Sequence, residues 1–261
     1  MAERDEDLLR ATDVTLRFGA VRALDELSFT VGQGEIVGII GPNGSGKTSF
    51  LNCINGIVRP QSGSIMFAGA ELVGKLSPAI TRLGIARTFQ APSLQPGATV
   101  AENILFGLDF RMKYGLLAAA LYIGRARSQE MAHRAAVDKV ISFLGIGSIR
   151  DTAVGDLPWA LQKLVEIGRA LASEPKLLLL DEPTSGMTRE EKEGVARCIT
   201  AIQAELHISQ ILIEHDTEFV TGLCDRLVAL DFGRQIASGT PAEVLAEPAV
   251  VTAYLGMTAK T

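Results

Sequence analysis

The sequence predicts an α/β fold: a parallel sheet flanked by helices, with a small antiparallel β subdomain and an α-helical subdomain. Three observations predict it. The stretch Glu35 to Ile40, apolar after its first residue, leads into Gly41-Pro42-Asn43-Gly44-Ser45-Gly46-Lys47-Thr48 and then into a helical segment. Two further strand-like runs, Leu177 to Asp181 and Ser209 to Glu214, alternate with helical stretches, which is the order of βαβ units. Residues Thr12 to Val31 instead alternate polar and apolar, the period of half-buried antiparallel strands.

Taken in order, Val14, Leu16 and Phe18, then Leu27, Phe29 and Val31, mark the apolar faces of two strands. Glu35 to Ile40 is a buried strand, and Thr48 to Asn55 a helix with Gly56 as its stop. Gly63 to Gly69 is a short strand between turns, and Gly84 to Phe89 continues in the same style up to Gln90. From Ala91 the character changes. Ala91-Pro92-Ser93 and Gln95-Pro96-Gly97 are loop signals, and Val100 to Leu108, Met112 to Arg125 and Ser128 to Leu144 read as helices. These define a helical subdomain at about residues 91–160 within a single domain of 261 residues. Helix Leu161 to Ala172 runs through Pro175 into the strand Leu177 to Asp181. Thr188 to Leu206 is a polar-faced helix. Arg226 to Leu230 and Arg234 to Ser238 form a hairpin around Phe232-Gly233, and Pro241 to Tyr254 closes with two short helices.

The stretch Gly41 to Thr48 fits G-x-x-x-x-G-K-[ST], a loop that cradles phosphate, and the strand before it and helix after it are the context the motif needs. Gly41, Gly44 and Gly46 let the backbone turn its N–H groups inward, and the helix N-terminus adds partial positive charge there. Lys47 reaches β- and γ-phosphates, and the Thr48 hydroxyl binds Mg²⁺. Asp181, at the end of a buried strand, is placed to hold Mg²⁺, and Glu182 to polarise an attacking water. Gln90, at the junction with the helical subdomain, is a candidate for Mg²⁺ or the lytic water. His215 stands just past another strand end, where ligands of such sheets bind, and is placed for a γ-phosphate. His133 and His207 lack such placement and read as solvated helix residues.

The remaining composition narrows the class. The net charge is −5, which argues against a general nucleic-acid binder. Cys53, Cys198 and Cys224 are widely spaced without metal-ligand spacing, so they read as small buried hydrophobes in a reducing compartment. Met1 to Arg10 lacks the apolar core of a signal peptide, and no stretch approaches the roughly 20 apolar residues of a membrane span. Work at a membrane therefore needs a partner.

With these residues in order, the chain resembles the ATP-binding subunit of an ABC transporter over essentially its whole length. The resemblance rests on Gly41 to Thr48, Gln90, Leu157 to Lys163 at the signature position, Leu177 to Glu182, Thr184 to Thr188 and His215. It implies ATP and Mg²⁺ as ligands, and two subunits that sandwich two ATP molecules head to tail. Each site then joins one subunit's Gly41-to-Thr48 loop to the signature segment of the other, here Trp159 and Ala160. Phe18 matches the family's adenine-stacking aromatic, with a buried strand Phe as the rival reading.

Within the family, Leu16 to Gly19, Ala86 to Gln90, Val165 to Leu171, Ile213 to Asp216, Ala253-Tyr254-Leu255-Gly256 and the long insertion around Gly107 to Ser128 resemble branched-chain amino-acid importers. Gly186-Met187-Thr188 resembles urea-transporter ATPases. The resemblance implies an ATPase on the cytoplasmic face of the inner membrane, bound to permease subunits. Its dimer partner is a different ATPase subunit, with a homodimer as the alternative, and a solute-binding protein takes part indirectly. A urea or short-amide importer, or a largely regulatory nucleotide-binding subunit, are the alternatives. The latter arises from two departures. The common signature L-S-G-G-Q reads Leu157-Pro158-Trp159-Ala160-Leu161, and Thr188 stands where Asp or Asn is usual.

Overall fold

The computed structural model describes residues 7–89, 93–111 and 125–258. Gln90 and the expected helix from Met112 therefore lie outside the described residues. Among the described residues the strands form two sheets. In the first, β1 (Asp7–Phe18), β2 (Val21–Gly32), β4 (Ser62–Phe67) and β5 (Ala70–Glu71) pair antiparallel in the order β2-β1-β4-β5. The alternation of Thr12 to Val31 shows directly: Val14, Leu16, Leu27 and Phe29 are buried and the residues between them are mostly exposed.

The second sheet orders β10 (Arg234–Gly239), β9 (Arg226–Asp231), β3 (Ile36–Ile40), β8 (Ser209–Ile213), β7 (Leu177–Asp181) and β6 (Ile85–Arg87). All its pairs are parallel except β9–β10. Strands β3, β7 and β8 are buried at every residue, as expected of a sheet covered on both faces. One expectation is corrected here. Gly84 to Phe89 does not continue the antiparallel style; its strand β6 joins the parallel sheet at the edge of β7. Three apolar residues cannot reveal which sheet they join, because pairing is decided by the chain's path and not by local period.

Two apolar clusters pack against the parallel sheet. One lies between the two sheets around helix α1 (Lys47–Ile54), with Phe29 and Phe50 edge to face at 5.0 Å. The other face is covered by α5 (Trp159–Leu171), α6 (Arg189–Leu206) and the helices near the chain's end, α8 (Pro241–Ala246) and α9 (Pro248–Thr258). A third cluster joins α3 (Val100–Leu105) and α4 (Arg125–Phe143) to α5 through Ile104, Ile141 and Val165. Beyond α3 the chain tightens into a 3₁₀ turn at Phe106–Arg111, where the sequence predicts continued α-helix. Two short helices were not foreseen: α2 (Ser77–Leu83) and α7 (Thr217–Leu223). Each buries a single side chain, Ile80 or Val220, so neither shows an apolar stripe. The three cysteines are free, two buried and Cys198 half-buried, and burial pushes each thiol up to about 12.

Candidate functional site

The site is built by register. In the parallel sheet Ile39 is level with Ile213, and Ile213 with Asp181. The residues that follow, Gly41, Glu182 and His215, therefore emerge side by side at the carboxyl ends of three neighbouring strands. In an open parallel sheet that edge is where ligands bind.

From β3 the chain enters the Gly41-to-Thr48 loop and turns into α1 at Gly46, whose φ is +107°. A Cβ at Gly46 would lie 2.5 Å from the Ala23 carbonyl, so no other residue fits. The first sheet thus rests against the loop through β2. Lys47 is 5% exposed, and its ammonium donates to the carbonyls of Gly41 (2.7 Å) and Pro42 (3.0 Å). Burial pushes its pKa down from the ordinary lysine value, and the charges of Glu182 and Asp181 oppose that fall. Those two carboxylates are therefore near enough to Lys47 to share one field. Asn43, Gly44 and Thr48 are exposed.

Asp181 is buried and accepts from Arg87 Nη2 at 2.8 Å. Arg87 Nη1 donates to Asn52 Oδ1 of α1 at 2.7 Å, and the guanidinium lies 5.1 Å from the Phe89 ring centre. Nothing local in the sequence marks Arg87 for this role; its pairing with Asp181 depends on β6 lying beside β7. Glu182 takes a left-handed φ of +48°, uncommon for a residue with a Cβ, while its N–H donates to the Ile213 carbonyl. That backbone turn aims its carboxylate at His215, and Oε1 lies 3.0 Å from His215 Nε2.

The loops after β7 and β8 are tied by Glu214, which sequence reasoning missed. Its buried carboxylate accepts from the Thr184 amide (2.9 Å), the Thr184 hydroxyl (2.6 Å) and the His215 amide (3.2 Å). Asp216 caps α7 and pairs with Lys192, and that ammonium with the Phe219 amide holds its carboxyl below the usual range. A sequence signal existed in the acids flanking His215, but which one points inward depends on the strand's exit.

The other expected residues fall elsewhere. Phe18 is 52% exposed at the tip of β1, which removes the buried-strand reading. Pro158 and Trp159 open α5 in the helical subdomain. The Trp159 indole N–H donates to the Ser185 carbonyl at 3.1 Å, and its ring stands 5.6 Å from the Lys163 ammonium. Lys163 also donates to the Phe89 carbonyl (2.6 Å), and the Phe89 amide to Glu166 (2.9 Å), so α5 grips the peptide just before Gln90. Ala160 is half-buried against the second cluster. Thr188 is the N-cap of α6 in a reciprocal capping box with Glu191. Thr, Asp and Asn all cap helices well, so this departure leaves the local structure intact.

Mg²⁺ suits the donors present. Thr48 offers a hydroxyl and Asp181 a carboxylate, both hard oxygen ligands. No group of three or more His, Cys, Asp or Glu that could cage a metal occurs among the described residues.

Residues 24–185 match the family model described as ABC transporter, and residues 234–256 that of branched-chain amino acid ATP-binding cassette transporters. The chain is similar to the high-affinity branched-chain amino acid transport ATP-binding protein LivG of Salmonella typhimurium, 33% identical over 96% of this chain and 98% of that one. It is similar also to BraF of Pseudomonas aeruginosa, 30% identical over 95% and 98%. Among solved structures, the ADP conformation of an ATP-binding cassette from an ABC transporter superposes with a TM-score of 0.84 at 32% identity, over 96% and 99% of the two chains.

Proposed function

The chain belongs to the ABC transporter family of ATP-binding proteins, and we propose that it powers an importer for branched-chain amino acids or closely related small polar solutes. It is an ATPase. The observation that carries the reading is the convergence of Lys47, Asp181 and the Glu182–His215 pair at three adjacent strand ends. The names of relatives matched over nearly their full length support the solute class.

In this reading Lys47 leaves the Gly41 and Pro42 carbonyls for the β- and γ-phosphates of ATP, and the loop amides orient those phosphates. Glu182 accepts a proton from water as the water oxygen bonds to the γ-phosphorus. The bond from that phosphorus to the bridging oxygen breaks, leaving ADP and phosphate. His215 orients Glu182 and takes part of the γ-phosphate charge. Thr48 and Asp181 would hold Mg²⁺, which supplies charge neutralisation at the phosphates. Phe18, exposed at the tip of β1, offers its face to the adenine. Gln90, which lies outside the described residues, is proposed to contact Mg²⁺ or the lytic water.

Among the described residues no helix is long and apolar enough to cross a membrane, so coupling to transport requires permease subunits. A groove of about 230 Å³ between the parallel sheet and the helical subdomain suits such a partner. Arg87, Phe89, Phe106 and Arg169 line it, and Phe89 (38%) and Phe106 (37%) expose apolar surface there. Leu94, close by in sequence, packs instead against the helical cluster. A second ATPase subunit, different or identical, completes each nucleotide site, and the solute-binding protein acts on the far side of the permease.

The test is reconstitution of the chain with its permease subunits in liposomes holding ATP. Leucine, isoleucine or valine uptake coupled to ATP hydrolysis is the expected result. Uptake of urea or short amides without branched-chain amino acids would overturn the solute assignment and leave the ATPase assignment standing.

A further inference from the structure

Near residue 254 the sequence carries a segment, Ala253 to Gly256, that the catalytic reading leaves without a role. The helix Pro248–Thr258, α9, docks through residues one turn apart: Val250 is 2% exposed, and Tyr254 packs against the buried cluster that includes Ile40 and Ala229. An i, i+4 pair lies on one helix face, so seating Val250 also carries the Tyr254 ring inward. The ring ends at the phosphate-binding loop. Its hydroxyl oxygen accepts a hydrogen bond from the Gly41 amide at 3.0 Å.

Gly41 is a tightly held residue. Its φ is +147°, and a Cβ there would lie 2.2 Å from the Leu230 carbonyl oxygen and 2.8 Å from Ser45 Oγ. The residue is buried. Its carbonyl takes the Lys47 ammonium and its N–H takes Tyr254, so both polar groups of this first loop residue are committed. When Lys47 swings to a phosphate, the carbonyl tether is released and the tyrosine tether remains. A buried amide without an acceptor is costly, so the loop is held where Tyr254 sets it.

We propose that Tyr254 is a positioning residue for nucleotide binding: the C-terminal helix is a strap whose tyrosine hydroxyl holds the Gly41 end of the phosphate loop in its ligand-ready path. The proposal rests on the assignment of the 41–48 loop as the nucleotide site. Burial pushes the Tyr254 hydroxyl above its ordinary range, so the strap stays protonated and intact at neutral pH.

The experiment is Tyr254→Phe in the full chain, which keeps the ring and removes the acceptor. Fluorescent ATP-analogue binding, steady-state hydrolysis in the assembled transporter, and amide hydrogen exchange at Gly41 are read together. The expected result is a rise in Kd and KM for ATP of about five- to tenfold, with kcat changing less, and faster exchange at Gly41. An unchanged Kd overturns the proposal even if the amide exchanges faster, because the contact is then only structural. A raised Kd with unchanged exchange overturns it too, because the effect does not pass through Gly41. Lys47→Ala separates this from the parent assignment. If that variant still binds ATP normally, the nucleotide-site reading fails; if it does not while Tyr254→Phe binds like wild type, only the strap fails.

Discussion

Glu182 Oε1 lies 3.0 Å from His215 Nε2, and the contact joins residues 33 positions apart. The left-handed backbone of Glu182 and the buried carboxylate of Glu214 hold the two loops so that they meet. Glu182→Gln keeps the shape and a hydrogen-bonding group but cannot accept a proton from water. We expect kcat to fall by roughly 10² to 10⁴ with ATP affinity within a few fold of wild type, from the usual size of general-base catalysis. Single-turnover hydrolysis and equilibrium binding check the two halves separately. Normal turnover rules out the catalytic role of Glu182.

Arg87 carries a prediction about stability. Its side chain is 4% exposed and that of Asp181 is 6%, so Arg87→Met leaves a buried carboxylate without this partner. Breaking such a pair from one side costs about 3–5 kcal/mol. Arg87→Lys should recover only part of it, since an ammonium cannot span both Asp181 and Asn52 as the planar guanidinium does. Chemical denaturation of the three proteins is the measurement. A loss for Arg87→Met below about 1 kcal/mol would show that the pair does not hold this edge of the site.

The capping boxes give the acid limb of stability a defined sign. Glu191 accepts from the Thr188 amide and hydroxyl, which hold its carboxyl below the ordinary 4.5. Glu102 and Glu243 are held down the same way by Thr99 and Thr240. A carboxylate whose folded pKa is depressed contributes fully above its unfolded value and loses that contribution as pH falls through the folded one. The melting temperature should therefore decline from about pH 5 towards pH 3. Glu191→Gln keeps an acceptor but does not titrate, so its melting curve should decline less steeply over that range. An identical slope would remove this box from the account.

The signature segment predicts asymmetry between the two sites of a head-to-tail pair. Pro158 offers neither hydroxyl nor N–H, the Trp159 indole N–H is already bound to Ser185, and in the proposed pair Ala160 would add a Cβ on the segment that meets the partner's phosphate. Losing one charge-assisted hydrogen bond costs about 1.5–3 kcal/mol, or roughly tenfold or more in rate. The site this chain finishes for its partner should be the slower one. Glu182→Gln here should then do more damage to total turnover than the matching change in the partner, and the reverse order contradicts the idea.

Much of this was legible in the sequence because the informative features are local. The Gly41-to-Thr48 loop, the strand Leu177 to Asp181 and the position of His215 each declare themselves within a few residues. The alternation in β1 and β2 does the same for the antiparallel sheet. What could not be read depends on residues far apart in the chain. Arg87 meets Asp181 only because β6 pairs with β7; Glu214 meets Thr184 only because β7 pairs with β8. Tyr254 reaches Gly41 across 213 positions, and no periodicity encodes such a contact. Helices α2 and α7 escaped for a different reason: seven residues with one buried side chain carry too little pattern to detect.

In the proposed function the 41–48 loop binds ATP for hydrolysis, with Lys47 as its cation. Steady-state ATP hydrolysis by the assembled transporter carrying Lys47→Ala tests it most directly. Removing the charge that meets the phosphates should cost on the order of 3 kcal/mol or more in the transition state, a loss of at least about a hundredfold in rate. Hydrolysis within a few fold of wild type would contradict the account.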